Sequence, residues 1–151
     1  MDTATVQQLL DESELRKLIL ALPRALDERD FDGYGALFTE DAVMEIGKEV
    51  RRGRQAIADG PRRDLPSRYE ATFHHMGQIY IEVDGDEATI LTYQVAYHLP
   101  KVSEPMSHED AGGKYHVIAR RTENGWRIAR LRLDIVLTQG ASLSLDVFSG
   151  R

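Results

Sequence analysis

The sequence predicts an α+β domain in which helices come first and antiparallel strands follow. Apolar residues recur at helical spacing within the first 40 residues, and alternating apolar and polar residues, separated by turn signals, fill most of the chain from Tyr69 to Thr138. Helices and strands segregated in this way are typical of α+β folds. The chain has 151 residues and no internal repeat, so we expect a single domain over 1–151.

The first helix is indicated by an apolar stripe at positions i, i+3, i+4, i+7 and i+11. Asp11 followed by Glu14 has the capping-box spacing and predicts that the helix begins there. Pro23 predicts a kink because proline lacks the amide hydrogen and clashes with the preceding turn. The helix should resume to about Arg29. The stripe consists of Leu15, Leu18, Ile19, Leu22 and Leu26.

A second, short helix is predicted after Asp30, whose side chain can cap its first turn. Phe31, Tyr34 and Phe38 then share one face, at i, i+3 and i+7. The elements expected next are a short strand at 42–46, a short helix at 53–59 and a loop to Ser67.

Four long strands are predicted in the second half of the chain, joined in pairs by the turn signals Asp84-Gly85-Asp86 and Glu123-Asn124-Gly125. Lys101 to Gly112 is predicted to be a mobile loop beside the site. A three-residue turn at Gly125 would place Tyr115 and Val117 on the same face as Leu131 and Leu133. The strands are expected at 69–83, 87–99, 113–122 and 126–138.

The first of these hairpins places candidate site residues together. An even-length turn with Val83 opposite Ala88 puts odd positions of one strand on the face of even positions of the next. His75 and His98 then share an apolar face with Gln94. Because adjacent strand residues point to opposite faces, His74 and His75 cannot easily ligate one ion, and we expect no metal.

Composition restricts the partners. The chain has 25 acidic and 19 basic residues, a net charge of −6 and no cysteine, with a pI near 5.4. Thiolate chemistry is excluded, and the acidic balance argues against nucleic acid and anionic membranes as partners. We see no signal peptide or membrane-spanning run and therefore expect a cytoplasmic protein.

Motifs for covalent serine chemistry, nucleotide phosphates and HExxH zinc sites are absent from the sequence. Asp27 stands out because it lies near the C-terminus of the first helix, where the helix dipole disfavours an anion. Arg24 or Arg29 could compensate it as an ordinary surface charge. Two inward histidines and a glutamine would instead make a polar floor in an apolar pocket.

Several segments together resemble the SnoaL-like branch of the nuclear transport factor 2-like superfamily, over nearly the whole chain. The resemblance implies a cone-shaped barrel, in which a curved antiparallel sheet wraps around the N-terminal helices and leaves a deep apolar cavity. The segments are Leu26-Asp-Glu-Arg-Asp-Phe-Asp-Gly-Tyr, Gly53-Arg-Gln-Ala-Ile, His75-Met-Gly, Val83-Asp-Gly-Asp-Glu-Ala, Gly112-Gly-Lys-Tyr and Arg120 to Ile128.

Within this superfamily the site residues are most similar to those of the scytalone dehydratase and hexachlorocyclohexane dehydrochlorinase families. The resemblance implies that Asp27 and His75 form a general base and that His98 is a second active-site histidine. It further implies a cofactor-independent elimination on a hydrophobic ring or polyketide-like substrate. An isomerase or an aldol-type cyclase could use the same base.

The chain departs from both families where they assist the leaving group. Leu26 and Ile46 replace two tyrosines of the dehydratase, and Tyr115 replaces an asparagine. Leu22 and Leu131 replace a lysine and an arginine of the dehydrochlorinase. The expected substrate-binding residues are Leu22, Leu26, Tyr34, Phe38, Ile46, Gln94, Tyr115 and Leu131.

These departures keep two non-catalytic alternatives open, a ligand-binding domain and an accessory subunit. The sheet face away from the pocket is rich in large apolar side chains, for which we expect a homodimer contact. The apolar C-terminal segment from Gln139 to Arg151 is expected to pack over the barrel mouth or a neighbouring subunit. The outer-face residues are Tyr80, Leu91, Tyr93, Val95 and Tyr97.

Overall fold

The structure, a computed structural model, describes residues 2–140. Most of the C-terminal segment, for which packing was predicted, therefore lies outside the described residues. None of the helices within 2–140 has the length and apolarity that crossing a membrane requires. The elements are α1 (Thr3–Asp27), α2 (Phe31–Ala36), β1 (Phe38–Ile46), β2 (Glu49–Arg52), α3 (Arg54–Arg68), β3 (Ala71–Asp84), β4 (Glu87–Leu99), β5 (Glu109–Thr122) and β6 (Gly125–Gln139).

The strands form one six-stranded sheet in the order β2-β1-β6-β5-β4-β3. All neighbours are antiparallel except β1 and β6, which run parallel. The sheet is curved and remains open, with β2 and β3 as its edges. The predicted α+β class, with N-terminal helices packed on a curved and mainly antiparallel sheet, is confirmed.

The apolar stripe of α1 is buried as predicted, but the predicted helix start is wrong. The helix begins at Thr3, and Asp2 caps it by accepting a hydrogen bond from the Thr5 amide at 2.8 Å. Asp11 lies in mid-helix and is buried. Its carboxylate accepts two hydrogen bonds from Arg121 and one from Trp126 Nε1, which compensate for the loss of water. Asp11 thereby joins α1 to the hairpin of β5 and β6.

The prediction of a loop between the short helix and Ser67 is also wrong, since α3 continues through Pro61 and Pro66 to Arg68. Tertiary packing outweighs the low helix propensity of this segment. Ile57 is fully buried and Leu65 packs against the core, while the Arg51 side chain lies directly over Gly60.

The register of β3 and β4 changes midway and reverses which histidine faces inward. Val83 pairs with Ala88 as predicted, but a bulge between Gly77 and Tyr80 inserts one extra residue into β3. Gln78, inside the bulge, has φ of 51°. Before the bulge, even positions of β3 therefore face inward. The placement of His75 on the inner face is wrong: His75 is exposed, and His74 lies opposite Ala96.

In the second hairpin, of β5 and β6, the side chains lie on the predicted faces, but the turn differs from the prediction. Tyr115 pairs with Leu133 and Val117 with Leu131, as predicted. The turn itself is shorter than the three residues expected, with Thr122 opposite Gly125, and a bulge between Ile118 and Ala119 restores the register. The predicted loop at 101–112 is shorter than expected because residues 109–112 belong to β5.

Candidate active site

A cavity of about 170 Å³ opens between the C-terminal end of α1, helix α3 and the inner face of the sheet. This volume is below the roughly 300–1,000 Å³ of pockets that hold drug-sized ligands. Its lining residues are Leu26, Tyr34, Ile46, Glu49, Arg51, Pro61, Asp64, Leu65, Arg68, Tyr69, His74, Gln94, Ala96, His98, Ala111, Tyr115, Leu133 and Ile135.

Asp27 and His74 form a hydrogen-bonded pair at the wall of this cavity. Nδ1 of His74 lies 2.7 Å from Oδ1 of Asp27, and the His74 backbone amide donates to Oδ2 at 2.9 Å. Burial raises the pKa of Asp27, but the hydrogen bonds from His74 outweigh burial and hold the pKa below its usual 3.8. An ionised carboxylate only accepts, so Nδ1 must carry the hydrogen. In neutral His74 the lone pair is then on Nε2.

Thr72 contacts the Asp27 carboxylate, and Arg29 in turn contacts Thr72. The Thr72 hydroxyl donates to Oδ1 of Asp27 at 2.9 Å and accepts from Nη1 of Arg29 at 2.8 Å. Arg29, with φ of 60°, also donates to the Leu26 carbonyl at 3.0 Å. These donors offset the unfavourable helix dipole at the end of α1. Arg24 instead pairs with Glu28 on the surface.

His98 lies next to His74 with its ring held in one tautomer. The two ring centroids are 5.5 Å apart and the planes are nearly perpendicular, at 81°. Nδ1 of His98 lies 3.0 Å from the Glu109 carbonyl oxygen, which can only accept, so Nδ1 carries the hydrogen. Burial and the nearby His74 lower the pKa of His98 to about 4. His98 is therefore neutral at pH 7, and its Nε2 carries no hydrogen and can accept a hydrogen bond.

Two tyrosine hydroxyls complete the inner wall. Burial raises the pKa of Tyr34 far above its usual value, and burial alone raises the pKa of Tyr115 to about 12. Both hydroxyls are therefore protonated at pH 7 and available as hydrogen-bond donors.

Gln94 is a buried polar residue with unused hydrogen-bonding capacity. Its side chain is 6% exposed, and its Oε1 atom is buried without a partner in the part of the chain that the structure describes. Buried polar atoms are rarely left unpaired in folded proteins. Gln94 therefore marks a position where a ligand or water would complete the hydrogen bonding.

The outer end of the cavity is charged. Arg51 donates to Glu49 at 2.6 Å, and its guanidinium lies 4.0 Å from Asp64. Arg68 is the most exposed lining residue. These charges were not predicted from the sequence, because the pattern gave no signal for β2 and indicated a loop beyond Asp59 where α3 continues. The spacing of Asp64 and Arg68 by four residues was the available signal for a helix face.

The predicted site residues divide between the cavity and the core. Leu26, Tyr34, Ile46, Gln94 and Tyr115 line the cavity with His98. Leu22, Phe38 and Leu131 do not line it but are buried in the hydrophobic core. His75 is on the outer face, and Asp27 contacts His74 without lining the cavity itself. Within 2–140, no cluster of three or more potential ligand side chains is placed to hold a metal ion.

The outer face of the sheet exposes aromatic side chains. Tyr80 and Phe73 are each 59% exposed. Phe73 contacts Tyr97 with ring centroids 6.2 Å apart, and Lys114 lies 4.9 Å from the centre of the Tyr93 ring. His75 belongs to this surface.

The fold and these contacts can be compared with known proteins. A candidate scytalone dehydratase from Novosphingobium aromaticivorans is 21% identical, with a TM-score of 0.82 over 91% of this chain and 92% of that chain. The type 2 hexachlorocyclohexane dehydrochlorinase LinA is 16% identical, with a TM-score of 0.80 over 91% and 93%. These likenesses show the shared fold.

A further similar structure is a nuclear transport factor 2-like protein with a cystatin-like fold, also from Novosphingobium aromaticivorans. It is 25% identical, with a TM-score of 0.74 over 97% of this chain and 94% of that chain. No curated protein sequence matches this chain significantly. Residues 7–132 match the SnoaL-like domain family. The chain therefore belongs to the SnoaL-like domain family of nuclear transport factor 2-like proteins.

Proposed function

We propose that this protein is a cofactor-independent lyase that removes water, or a comparable leaving group, from a small hydrophobic ring compound. The proposal is supported above all by the 2.7 Å contact between Asp27 Oδ1 and Nδ1 of His74, whose ring lines the cavity. A carboxylate that accepts from Nδ1 fixes the tautomer of the imidazole and stabilises its protonated form, leaving Nε2 as a general base.

In the proposed reaction, Nε2 of His74 removes a proton from a carbon next to a carbonyl group. The C–H electron pair forms the C=C bond as the C–O bond of the neighbouring carbon breaks. The protonated His74 returns its proton to the departing hydroxide, so water leaves and the imidazole is neutral again. The Tyr34 and Tyr115 hydroxyls would donate hydrogen bonds to the carbonyl or departing oxygen.

His98 has a different role from the one first expected of it. A neutral His98 with its hydrogen on Nδ1 cannot donate from Nε2 to an oxyanion, so we assign it to substrate binding as an acceptor. Asp27 is a positioning residue, since it reaches the substrate only through His74. His74 takes the place in this proposal that the sequence assigned to His75.

The adjacent histidines give a matched pair of variants for the test. Wild-type protein, His74→Gln and His75→Gln are incubated in D₂O with β-hydroxy ring ketones such as 3-hydroxycyclohexanone and 3,5-dihydroxycyclohexanone, following enone absorbance and C–H exchange by proton NMR. The His74→Gln variant should lose on the order of 10²–10⁴-fold in rate, while His75→Gln keeps the wild-type rate. Equal rates in wild type and His74→Gln would contradict the proposal and favour a ligand-binding role.

We further propose that the chain forms a homodimer through the outer sheet face. The exposed Phe73 and Tyr80 side chains support this proposal, because apolar patches on monomeric proteins are seldom extensive. The cavity lies on the other side of the sheet, so a dimer of this kind would leave it accessible.

A further inference from the structure

We infer that the cavity binds an uncharged single-ring molecule carrying two hydroxyl groups on separate carbons, with one hydroxyl at Gln94 and the other at His98. This inference rests on the proposed function and specifies the ligand of the same cavity. It follows from the hydrogen-bonding capacity that the cavity leaves unused, and from its size.

The two polar groups lie on one strand, separated by a small residue. Gln94, Ala96 and His98 alternate along β4, and all three line the cavity. Four residues of strand span roughly 13 Å between backbone atoms, and Ala96 leaves the floor between the two longer side chains free. A ring resting on Ala96 would have one edge toward each polar group.

The two groups both need a hydrogen-bond donor. In neutral His98 the Glu109 carbonyl fixes the one ring hydrogen on Nδ1, so Nε2 accepts. Oε1 of Gln94 has no partner within residues 2–140, and the same amide also offers N–H donors. A hydroxyl satisfies both groups, since it donates as well as accepts. An ether, a halogen or a carboxylate offers no hydrogen and leaves His98 unsatisfied.

The volume of the cavity favours a single ring. It measures about 170 Å³, close to the roughly 150 Å³ of an engineered cavity that holds benzene, so a single six-membered ring fits this space. The charged lining residues Glu49, Arg51, Asp64 and Arg68 carry two charges of each sign, which gives no net attraction for an anion.

Resorcinol is a suitable probe because it is one ring with two separated hydroxyls and cannot undergo the proposed elimination. We would titrate the full-length protein with resorcinol and with 1,3-difluorobenzene, which has the same shape but no donor, following the Gln94 side-chain amide and the His98 ring by NMR. Resorcinol should bind at least about tenfold more tightly, the effect of roughly one net hydrogen bond. Equal affinities would overturn the inference.

Variants separate hydrogen bonding from packing. Gln94→Leu should lower the affinity for resorcinol to near that for 1,3-difluorobenzene, whose own binding is unchanged, while the control His75→Gln binds both as wild type does. Because Oε1 is unpaired, Gln94→Leu should be at least as stable as wild type in thermal unfolding. Unchanged resorcinol affinity in Gln94→Leu, or tighter binding of 1,3-dihydroxynaphthalene than of resorcinol, would refute the inference.

The His74→Gln variant distinguishes this inference from the proposed function. It should bind resorcinol with nearly wild-type affinity, because His74 is not one of the two groups assigned to the hydroxyls. Resorcinol binding without catalysis in wild type would remove the lyase proposal and leave the ligand assignment standing. Catalysis without selective resorcinol binding would support the lyase proposal and refute the ligand assignment.

Discussion

Asp27 binds His74 at two points, with Oδ1 at 2.7 Å from the ring Nδ1 and Oδ2 at 2.9 Å from the backbone amide. The second contact fixes the carboxylate relative to β3, so the ring cannot rotate without losing the first contact. Such positioning by a carboxylate is what a general-base imidazole needs. The pair joins the last residue of α1 to the strand segment before the bulge.

Thr72 should affect catalysis as a positioning residue. Thr72→Val removes the hydroxyl that donates to Asp27 at 2.9 Å, and hydrogen bonds to charged groups contribute about 1.5–3 kcal/mol. We expect kcat to fall roughly tenfold or more, with little change in KM. Thr72→Ser, which keeps the hydroxyl, should restore most of kcat. Wild-type kcat in Thr72→Val together with a loss in Thr72→Ser would show that the methyl group matters instead of the hydroxyl.

Asp11 should be important for stability and unimportant for the site. Its carboxylate is 5% exposed and accepts from Arg121 at 2.8 Å through both oxygens. Arg121 is about a third exposed and keeps Asp86 as a second partner, so the loss should be that of hydrogen bonds to a charged group, about 1.5–3 kcal/mol. Asp11→Asn should therefore lower Tm by on the order of 5 °C, measured by calorimetry, and leave resorcinol binding unchanged. A Tm close to that of the wild type would contradict this role of the Asp11 carboxylate.

Stability should fall as the pH is lowered from about 6.5 to 4 because of His98. Its pKa is about 4 in the folded protein, against an ordinary value of 6.5. Between these values the unfolded chain binds a proton that the folded chain does not, so the stability present above pH 6.5 is lost as the pH falls. The loss is roughly 3 kcal/mol.

Urea unfolding at several pH values measures this effect, with His98→Gln as the control. The variant has no imidazole at this position, so its stability should depend less steeply on pH in that window. Below about pH 4 both proteins should weaken together as Asp11, whose pKa Arg121 holds near 2, becomes protonated. Parallel curves for wild type and His98→Gln above pH 4 would show that His98 titrates normally.

The outer sheet face should set the oligomeric state. Replacing Tyr80 by lysine introduces a charge into the exposed aromatic surface and should convert a dimer into a monomer in sedimentation experiments. Glu14→Lys, a charge change at an exposed position of α1 away from this face, is the control. A wild-type protein that sediments as a monomer at micromolar concentration would contradict the dimer proposal.

The sequence patterns were most reliable where burial and periodicity agree. The α1 stripe and the bounds of β4 were predicted correctly because each follows a simple period. Asp27 and His98 also reach the predicted region, since a helix end and a strand end fix their positions. The family resemblance added the overall sheet architecture, which periodicity alone does not determine.

The choice between His74 and His75 was beyond the sequence pattern. It depends on the bulge at Gln78, a single inserted residue with a left-handed backbone conformation. Periodicity assumes unbroken alternation, so one unseen bulge exchanges the two faces. Gly77 next to Gln78 was the available signal, because a glycine within a strand often marks a bulge. The outer end of the cavity was not predicted for a separate reason. Pro61 and Pro66 indicated a loop, but both are tolerated within α3.

The most direct test of the Asp27–His74 pair is the tautomer of His74, measured by long-range ¹⁵N–¹H NMR in the wild type and in Asp27→Asn. In its neutral form, wild-type His74 should carry its hydrogen on Nδ1, and Asp27→Asn should reduce that tautomer, while the signals of His75 stay unchanged. A wild-type His74 with its hydrogen on Nε2, or the same tautomer populations in both proteins, would contradict the account.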